Sequence, residues 1–234
     1  MCALSLSIRF SVNYPLKFTT WNGRFVSRVV SEVFDNVGIK IPHNAKEKPF
    51  TITPIFDSMG KIVNELVPGA RYWFRISLYC YEVSCEDVTR AFAVPELKLS
   101  TGEVLNVIEV GVSEQKLSTS NDNDSVLTRW HVRFWPTSFI FRSHYITWPS
   151  PARFLSSTAQ TLARVLKGNE LVLGRGGDSL VGVVNDVYLK DFVKELVFNT
   201  EVVDFSVRRF TVDLGRGRKM PVFSGVAQYV TYTQ

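Results

Sequence analysis

The feature that most constrains this chain is a change of period within its first forty residues. "LSLSIRFSV" (4–12) alternates, with Leu4, Leu6, Ile8, Phe10 and Val12 on one face, as a half-buried strand requires. After Pro15 the spacing becomes helical. Phe25, Val26, Val29, Val30, Val33, Phe34 and Val37 recur every three or four residues, and Gly38 stands where a helix C′ residue belongs. Residues 50–56 read as a second strand, with Pro54 assigning that part to an edge or a bend. Residues 71–83 are dense in β-formers and predict a long strand. Ser84 is a fitting N-cap, with Glu86 and Asp87 in the first turn of a short helix. "EVLNVIEVGV" (103–112) returns to strand. The order is βαββαβ, the ferredoxin-like arrangement.

"LSTSNDNDS" (117–125) is polar and aperiodic, the best linker in the chain. It predicts two domains, 1–118 and 119–234. Beyond it the order partly recurs. Trp130, Val132 and Phe134 share one strand face, and His131, Arg133 and Trp135 share the other. The clearest helix runs from Ser150 as N-cap and Pro151 at N1 to Lys167 and Gly168, with Phe154, Leu155, Ala159, Leu162 and Leu166 as its stripe. Runs near 180–188, 196–213 and 222–232 are rich in β-formers. The expected fold class is α+β, two ferredoxin-like (RRM-like) domains in tandem.

The net charge is +5, and it is uneven: residues 1–118 carry 13 basic and 12 acidic side chains, residues 119–234 carry 14 and 10. The basic second half is compatible with a polyanionic partner. The three cysteines, Cys2, Cys80 and Cys85, form no CxxC pair and no cluster with histidine. The expectation is no disulfide framework, no zinc site and a reducing, cytoplasmic setting. The N-terminus alternates rather than running apolar, unlike a signal peptide. No segment approaches the roughly 18 apolar residues of a membrane span.

Nucleotide and hydrolase motifs are missing: "LGRGGDSL" lacks the GxxxxGK[ST] form, and neither GxSxG nor HExxH occurs. "NDND" (121–124) lacks the later glycine and glutamate of a calcium loop. No metal site and no cofactor is expected. His131 and His144 read as structural. His43 sits after the first helix in a polar segment with Lys46 and Lys48. A loop imidazole there can carry protons near neutrality, and the lysines can engage a phosphate. "RRFTVDLGRGRKMPVFSG" (208–225) is the densest cationic stretch. Arg208, Arg209, Arg216, Arg218 and Lys219 stand against Asp213 alone, and Gly215 and Gly217 permit close backbone approach. Arg153 and Arg164, on the 150–167 helix, are further candidates.

"PFTITPIF" (49–56), "PGARYWFRISL" (68–78), "FWPTSFIF" (134–141), "WPSPARFLSS" (148–157) and "PVFSGVAQYVTY" (221–232) resemble, in order and across nearly the whole chain, the landmark segments of the CRISPR-associated repeat-RNA endoribonucleases of the RAMP superfamily. The resemblance implies two ferredoxin-like domains and metal-independent cleavage of CRISPR repeat RNA. A ribose 2′-hydroxyl attacks the adjacent phosphate, leaving a 2′,3′-cyclic phosphate and a 5′-hydroxyl. It implies His43 as the proton-transfer group, Lys48 or Lys46 as the cation beside it, and the segment around Arg208, Arg209, Arg216, Arg218 and Lys219, with Arg153, as RNA-binding. Two departures stand out. Ser31 occupies the position where some relatives carry a helix tyrosine, and the glycine-rich loop is reduced to Gly215, Gly217 and Gly225. The rival reading is a non-catalytic repeat-RNA-binding subunit of a CRISPR interference complex. A general RRM-like module is the weaker alternative, since the RNP1 aromatic motif is missing. Self-association is left open.

Overall fold

A computed structural model describes residues 3–40, 48–80, 83–115, 127–167 and 187–232. His43, Lys46, the 117–125 linker and the 180–186 run therefore lie outside the described residues. The chain divides into two units. The first is residues 1–117 with 213–218, and the second is residues 118–212 with 219–234.

The first unit contains β1 (Ala3–Ser11), β2 (Leu16–Lys17), α1 (Gly23–Asn36), β3 (Phe50–Ile52), β4 (Phe56–Asp57), β5 (Glu65–Leu66), β6 (Tyr72–Tyr79), α2 (Cys85–Phe92), β7 (Glu96–Lys98) and β8 (Val104–Gln115). Its sheet runs β3-β6-β1-β8-β7, and β4 also pairs with β6. Without the edge strand β7, this is the antiparallel order of a ferredoxin-like unit, with β1 central between β6 and β8. The alternation read from β1 is real: Leu6, Ile8 and Phe10 are fully buried, while Arg9 on the other face is exposed and pairs with Glu109. Those three pack with Val26, Val29, Val30 and Phe34 of α1 and with Val88 and Phe92 of α2. Each such side chain contributes about 1.5–3 kcal/mol on burial.

Helix ends follow local chemistry. α1 closes as expected at Gly38, in a Schellman motif with Gly38 N donating to Asp35 O at 3.1 Å and Ile39 N to Phe34 O at 2.9 Å. Ser84 caps α2, its Oγ accepting from Asp87 N at 3.3 Å. Asn22 precedes α1 but does not cap it. Its buried amide instead donates to Ile55 O (3.1 Å) and Val63 O (2.7 Å), and its Oδ1 accepts from Ile55 N (3.0 Å). One side chain thus ties the helix start to the segment after Pro54. The expectation of unpaired cysteines is corrected. Cys80 and Cys85 form a disulfide, because the chain reverses between β6 and α2 and brings their Cα atoms to 5.0 Å, within disulfide reach.

The second unit contains β9 (Leu127–Thr137), β10 (Phe139–Phe141), β11 (His144–Ile146), α3 (Pro151–Lys167), α4 (Val187–Phe198), β12 (Thr200–Asp213) and β13 (Lys219–Tyr232). Its sheet order β12-β13-β9 is that of the first three strands of the ferredoxin-like arrangement. Among the described residues it has no fourth strand, and the β10–β11 hairpin is an addition. Residues 187–198 form a helix, correcting the β-rich reading of 187–188 and 196–198. Val193, one face of α4, packs on Ala159 of α3. Phe134, Phe223, Ala227 and Tyr229 form the core with Trp130, Val132 and Phe154 against them. Phe154 stacks on Tyr229 at 4.9 Å. Burial pushes the Tyr229 phenol above its ordinary pKa, so it stays a donor to Pro149 O at 3.1 Å. Among the described residues no helix is long and apolar enough to cross a membrane.

Candidate nucleic-acid interface

The polar face of α1 organises the site in the first unit. Its buried face takes Val26, Val29, Val30, Val33 and Phe34, which leaves Arg24, Ser27, Arg28 and Ser31 along the other side at helical spacing. Lys48, where the described chain resumes, donates from Nζ to Ser27 Oγ at 3.3 Å. The same ammonium lies 5.6 Å from the centre of the Phe50 ring, which itself packs edge-on against Phe34. The Lys48 charge is thus held against α1 by a hydroxyl and an aromatic face. Ser31 Oγ donates to Ser27 O at 2.9 Å, so its proton is engaged by the helix backbone.

The tip between β12 and β13 meets the start of α1. Trp21 N donates to Asp213 O at 2.8 Å, and Arg24 Nη1 donates to Leu214 O. Asp213 Oδ1 accepts from Gly215 N at 2.6 Å, and Leu214 N donates to Arg218 O at 2.8 Å. Gly215, Arg216 and Gly217 are all left-handed, with φ of 77°, 56° and 71°. That run turns the chain tightly and leaves the Arg216 and Arg218 side chains exposed. Arg24 and Ser27 are i,i+3 neighbours, about 5–6 Å apart at Cβ. The anchor of the basic tip and the anchor of Lys48 are therefore adjacent on one helix.

In the second unit, Arg208 and Lys219 are exposed. Arg209 is held by its Nε, which donates to Thr147 O at 3.2 Å. Arg153 lies over the Phe141 ring at 4.2 Å, and burial lowers its pKa; it shares that ring with Arg142, at 5.3 Å. The tip and Lys48 thus come together on α1, whereas Arg153 is drawn into an aromatic contact. The reading of sequence overlooked Trp21, Arg24 and Ser27. The polar i, i+3, i+7 series Arg24, Ser27, Ser31 was the signal available. Among the described residues no three metal-ligating side chains gather.

No family model and no curated protein matches the sequence. Solved structures do match over almost the whole chain. A Cas6 product complex aligns with a TM-score of 0.62 at 16% identity, covering 99% of this chain and 87% of that one. A Thermus thermophilus Cas6 gives 0.57 at 16%, covering 100% and 84%. A second Cas6 product complex gives 0.55 at 17%, covering 98% and 83%. With ferredoxin-like strand order in the first unit, the order of its first three strands in the second, and this coverage, the chain has the double ferredoxin-like fold of the CRISPR-associated Cas6 proteins.

Proposed function

We propose that the protein binds CRISPR repeat RNA and cleaves it once per repeat without a metal ion. Fold kinship with Cas6 structures solved as product and substrate-mimic complexes supports an RNA role, and one such neighbour was solved as a histidine-to-alanine variant. The observation that carries the reading is the tethering of Lys48 to Ser27. Gly38 closes α1 and Lys48 bonds back to it, and His43 lies between the two in sequence. The His43 imidazole takes the proton of the ribose 2′-hydroxyl as its oxygen attacks the adjacent phosphorus. The bond to the 5′-oxygen breaks, that oxygen takes up a proton from water, and the products are a 2′,3′-cyclic phosphate and a 5′-hydroxyl. Lys48 or Lys46 offsets charge growing on the phosphoryl oxygens, an effect of about 3 kcal/mol by analogy with oxyanion-hole donors. Arg216, Arg218 and Lys219 grip flanking phosphates.

The non-catalytic reading has one observation in its favour: Ser31, standing where a tyrosine would assist, has its hydroxyl bonded to Ser27 O. Incubation with repeat RNA in EDTA separates the two. Cleavage is expected, with loss in His43→Ala while binding persists, and with no cut when the sugar 5′ of the scissile phosphate is 2′-deoxy. Arg216→Ala/Arg218→Ala/Lys219→Ala is expected to flatten the salt dependence of binding by about 2 units of log K per log [salt]. Cleavage that needs added metal, or that survives His43→Ala undiminished, contradicts the mechanism. Tight binding with no cleavage establishes the subunit role instead.

A further inference from the structure

Among the described residues, the sheet of the second unit has one packed face and one largely open face, closed at the buried Val230. On β9 and β13, Trp130, Val132, Ala227 and Tyr229 point into the core. Their alternates pair across the other face, His131 with Gln228, Arg133 with Val226 and Arg129 with Val230. Two adjoining cavities lie there, of about 160 Å³ and 290 Å³, sharing His131 and Gln228. Arg129 and Val203 line the first, and Arg133 and Phe205 the second. Phe205 is 50% exposed, Val203 52% and Val226 46%. Exposed apolar side chains grouped on one sheet face, rather than scattered singly, mark a contact surface.

We infer that this face is a stacking platform for single-stranded RNA. Arg129 and Arg133 border the apolar patch along its β9 side, which suits a charged ligand better than an apolar protein surface. Arg129 and Arg133 flank His131 on one strand, and among the described residues Asp204 is the only acid lining either cavity. That balance favours a polyanion. Alternate Cα atoms of a strand lie about 7 Å apart, so Arg129, His131 and Arg133 present three polar heads at intervals on the scale of one nucleotide of an extended strand. A base stacks on the Phe205 ring over Val226, and the Gln228 amide offers both a donor and an acceptor to its edge. Asp204 accepts from an exocyclic amino group. Stacking on an aromatic side chain is tolerant of base identity, so the platform takes unpaired RNA of mixed sequence. The repeat-RNA reading supplies the polymer, a tail of the same transcript outside the cleaved segment. The platform does not use His43, Lys48 or the basic tip.

The test uses the full chain and two fluorescein-labelled RNAs, repeat RNA alone and repeat RNA with a ten-nucleotide unpaired tail, with a ten-nucleotide oligouridylate as a third probe. The tail is expected to tighten binding about tenfold, and Phe205→Ala to abolish that gain, on the usual strength of one base–aromatic stack. Phe205→Trp is expected to keep it. A 2-aminopurine in the tail is expected to be quenched by the wild-type chain and not by Phe205→Ala. Because Phe205 is half-exposed, its alanine variant is expected to melt as the wild type does. A tail that adds no affinity, or a gain untouched in Phe205→Ala, overturns the platform while cleavage of repeat RNA leaves the main reading standing. Oligouridylate binding lost in Phe205→Ala, in a chain that ignores repeat RNA, supports the platform and removes the main reading. Loss of self-association in Phe205→Ala with tail binding intact assigns the face to protein contact and refutes the inference.

Discussion

Gly225 is the position where a single methyl group is most damaging. It lies on β13 where the pairing with β9 shifts between Phe223 and Gly225, and its φ is 147°, a region that only glycine occupies without strain. An added Cβ would sit 2.1 Å from Ser206 O and 2.8 Å from Val207 Cα. Both obstacles are backbone of the neighbouring strand, so no side chain can swing aside. For the methyl to reach an ordinary contact distance the strands must part by about 1 Å or more. Two contributions add. The backbone strain costs about 1–3 kcal/mol, and two weakened ladder hydrogen bonds cost about 1 kcal/mol each. Gly225→Ala is therefore expected to lose about 3–5 kcal/mol, a large part of the stability of a unit this size.

Two other glycines calibrate that figure. At Gly217, φ is 71° but nothing lies within 4 Å of the added atom, so only the left-handed cost of about 1 kcal/mol remains. At Gly215 the atom would stand 2.8 Å from Arg24 Nη1 and 3.2 Å from Thr20 Cγ2. The guanidinium can move, at the loss of its bond to Leu214 O, for a total of about 2 kcal/mol. Urea unfolding followed by far-UV circular dichroism and by tryptophan fluorescence is expected to rank the alanine variants 225, 215, 217 in falling severity. A Gly225→Ala chain within about 1 kcal/mol of wild type would show that the β12–β13 pairing is not built as described, and so would refute the reasoning.

Asn22→Ala, in the same assay, is expected to cost about 3–4 kcal/mol, since it strands one buried donor and two carbonyls; Asn22→Asp, which replaces both amide donor bonds by an acceptor facing carbonyls, is expected to do no better. Glu103 yields a pH dependence. Partial burial pushes its carboxyl up, but hydrogen bonds from Thr101 and Arg28 outweigh that and hold the pKa below its ordinary value. A depressed carboxyl stabilises the fold above its unfolded pKa, and that share is lost as pH falls through the folded one. Urea midpoints below about pH 4.3 are expected to fall less steeply in Glu103→Gln than in wild type.

What was legible in the sequence was periodic. β1 and α1 announce themselves because the spacing switches from two to 3.6 at Pro15, and Ser84 and Ser150 mark helix starts by chemistry that acts within four residues. α4 was hidden because Phe192, Val193, Val197 and Phe198 are β-formers running straight into Val202 and Val203 of β12. The i,i+4 pair Val193 and Val197, and the Asp191–Lys194 pair at 2.8 Å, carried the helical signal too faintly. The Cys80–Cys85 bond depends on a chain reversal that spacing does not encode. The site was half legible. Lys48 was named from its neighbourhood to His43, but its anchor on Ser27 and the Arg24 bond to Leu214, across 190 positions, exist only once the sheet is assembled.

The distribution of paired and unpaired cations gives the basic tip its meaning. Four cations elsewhere in the first unit are answered locally. Arg9 meets Glu109 at 2.6 Å, Arg28 meets Glu103 at 2.5 Å, Arg90 meets Glu86, and Lys98 meets Glu96 at 3.3 Å. Exposed pairs of that kind contribute less than about 1 kcal/mol each, but they cancel one another's field. Arg216 and Arg218 make no ion pair among the described residues. The acid closest to them in sequence, Asp213, has a carboxylate oxygen bonded to Gly215 N, so it shapes the turn instead of pairing with a guanidinium. A net charge of +5 is modest for a chain of 234 residues. Left unanswered at one turn, beside the helix that holds Lys48, a small part of that excess makes a local field that an RNA phosphate can feel.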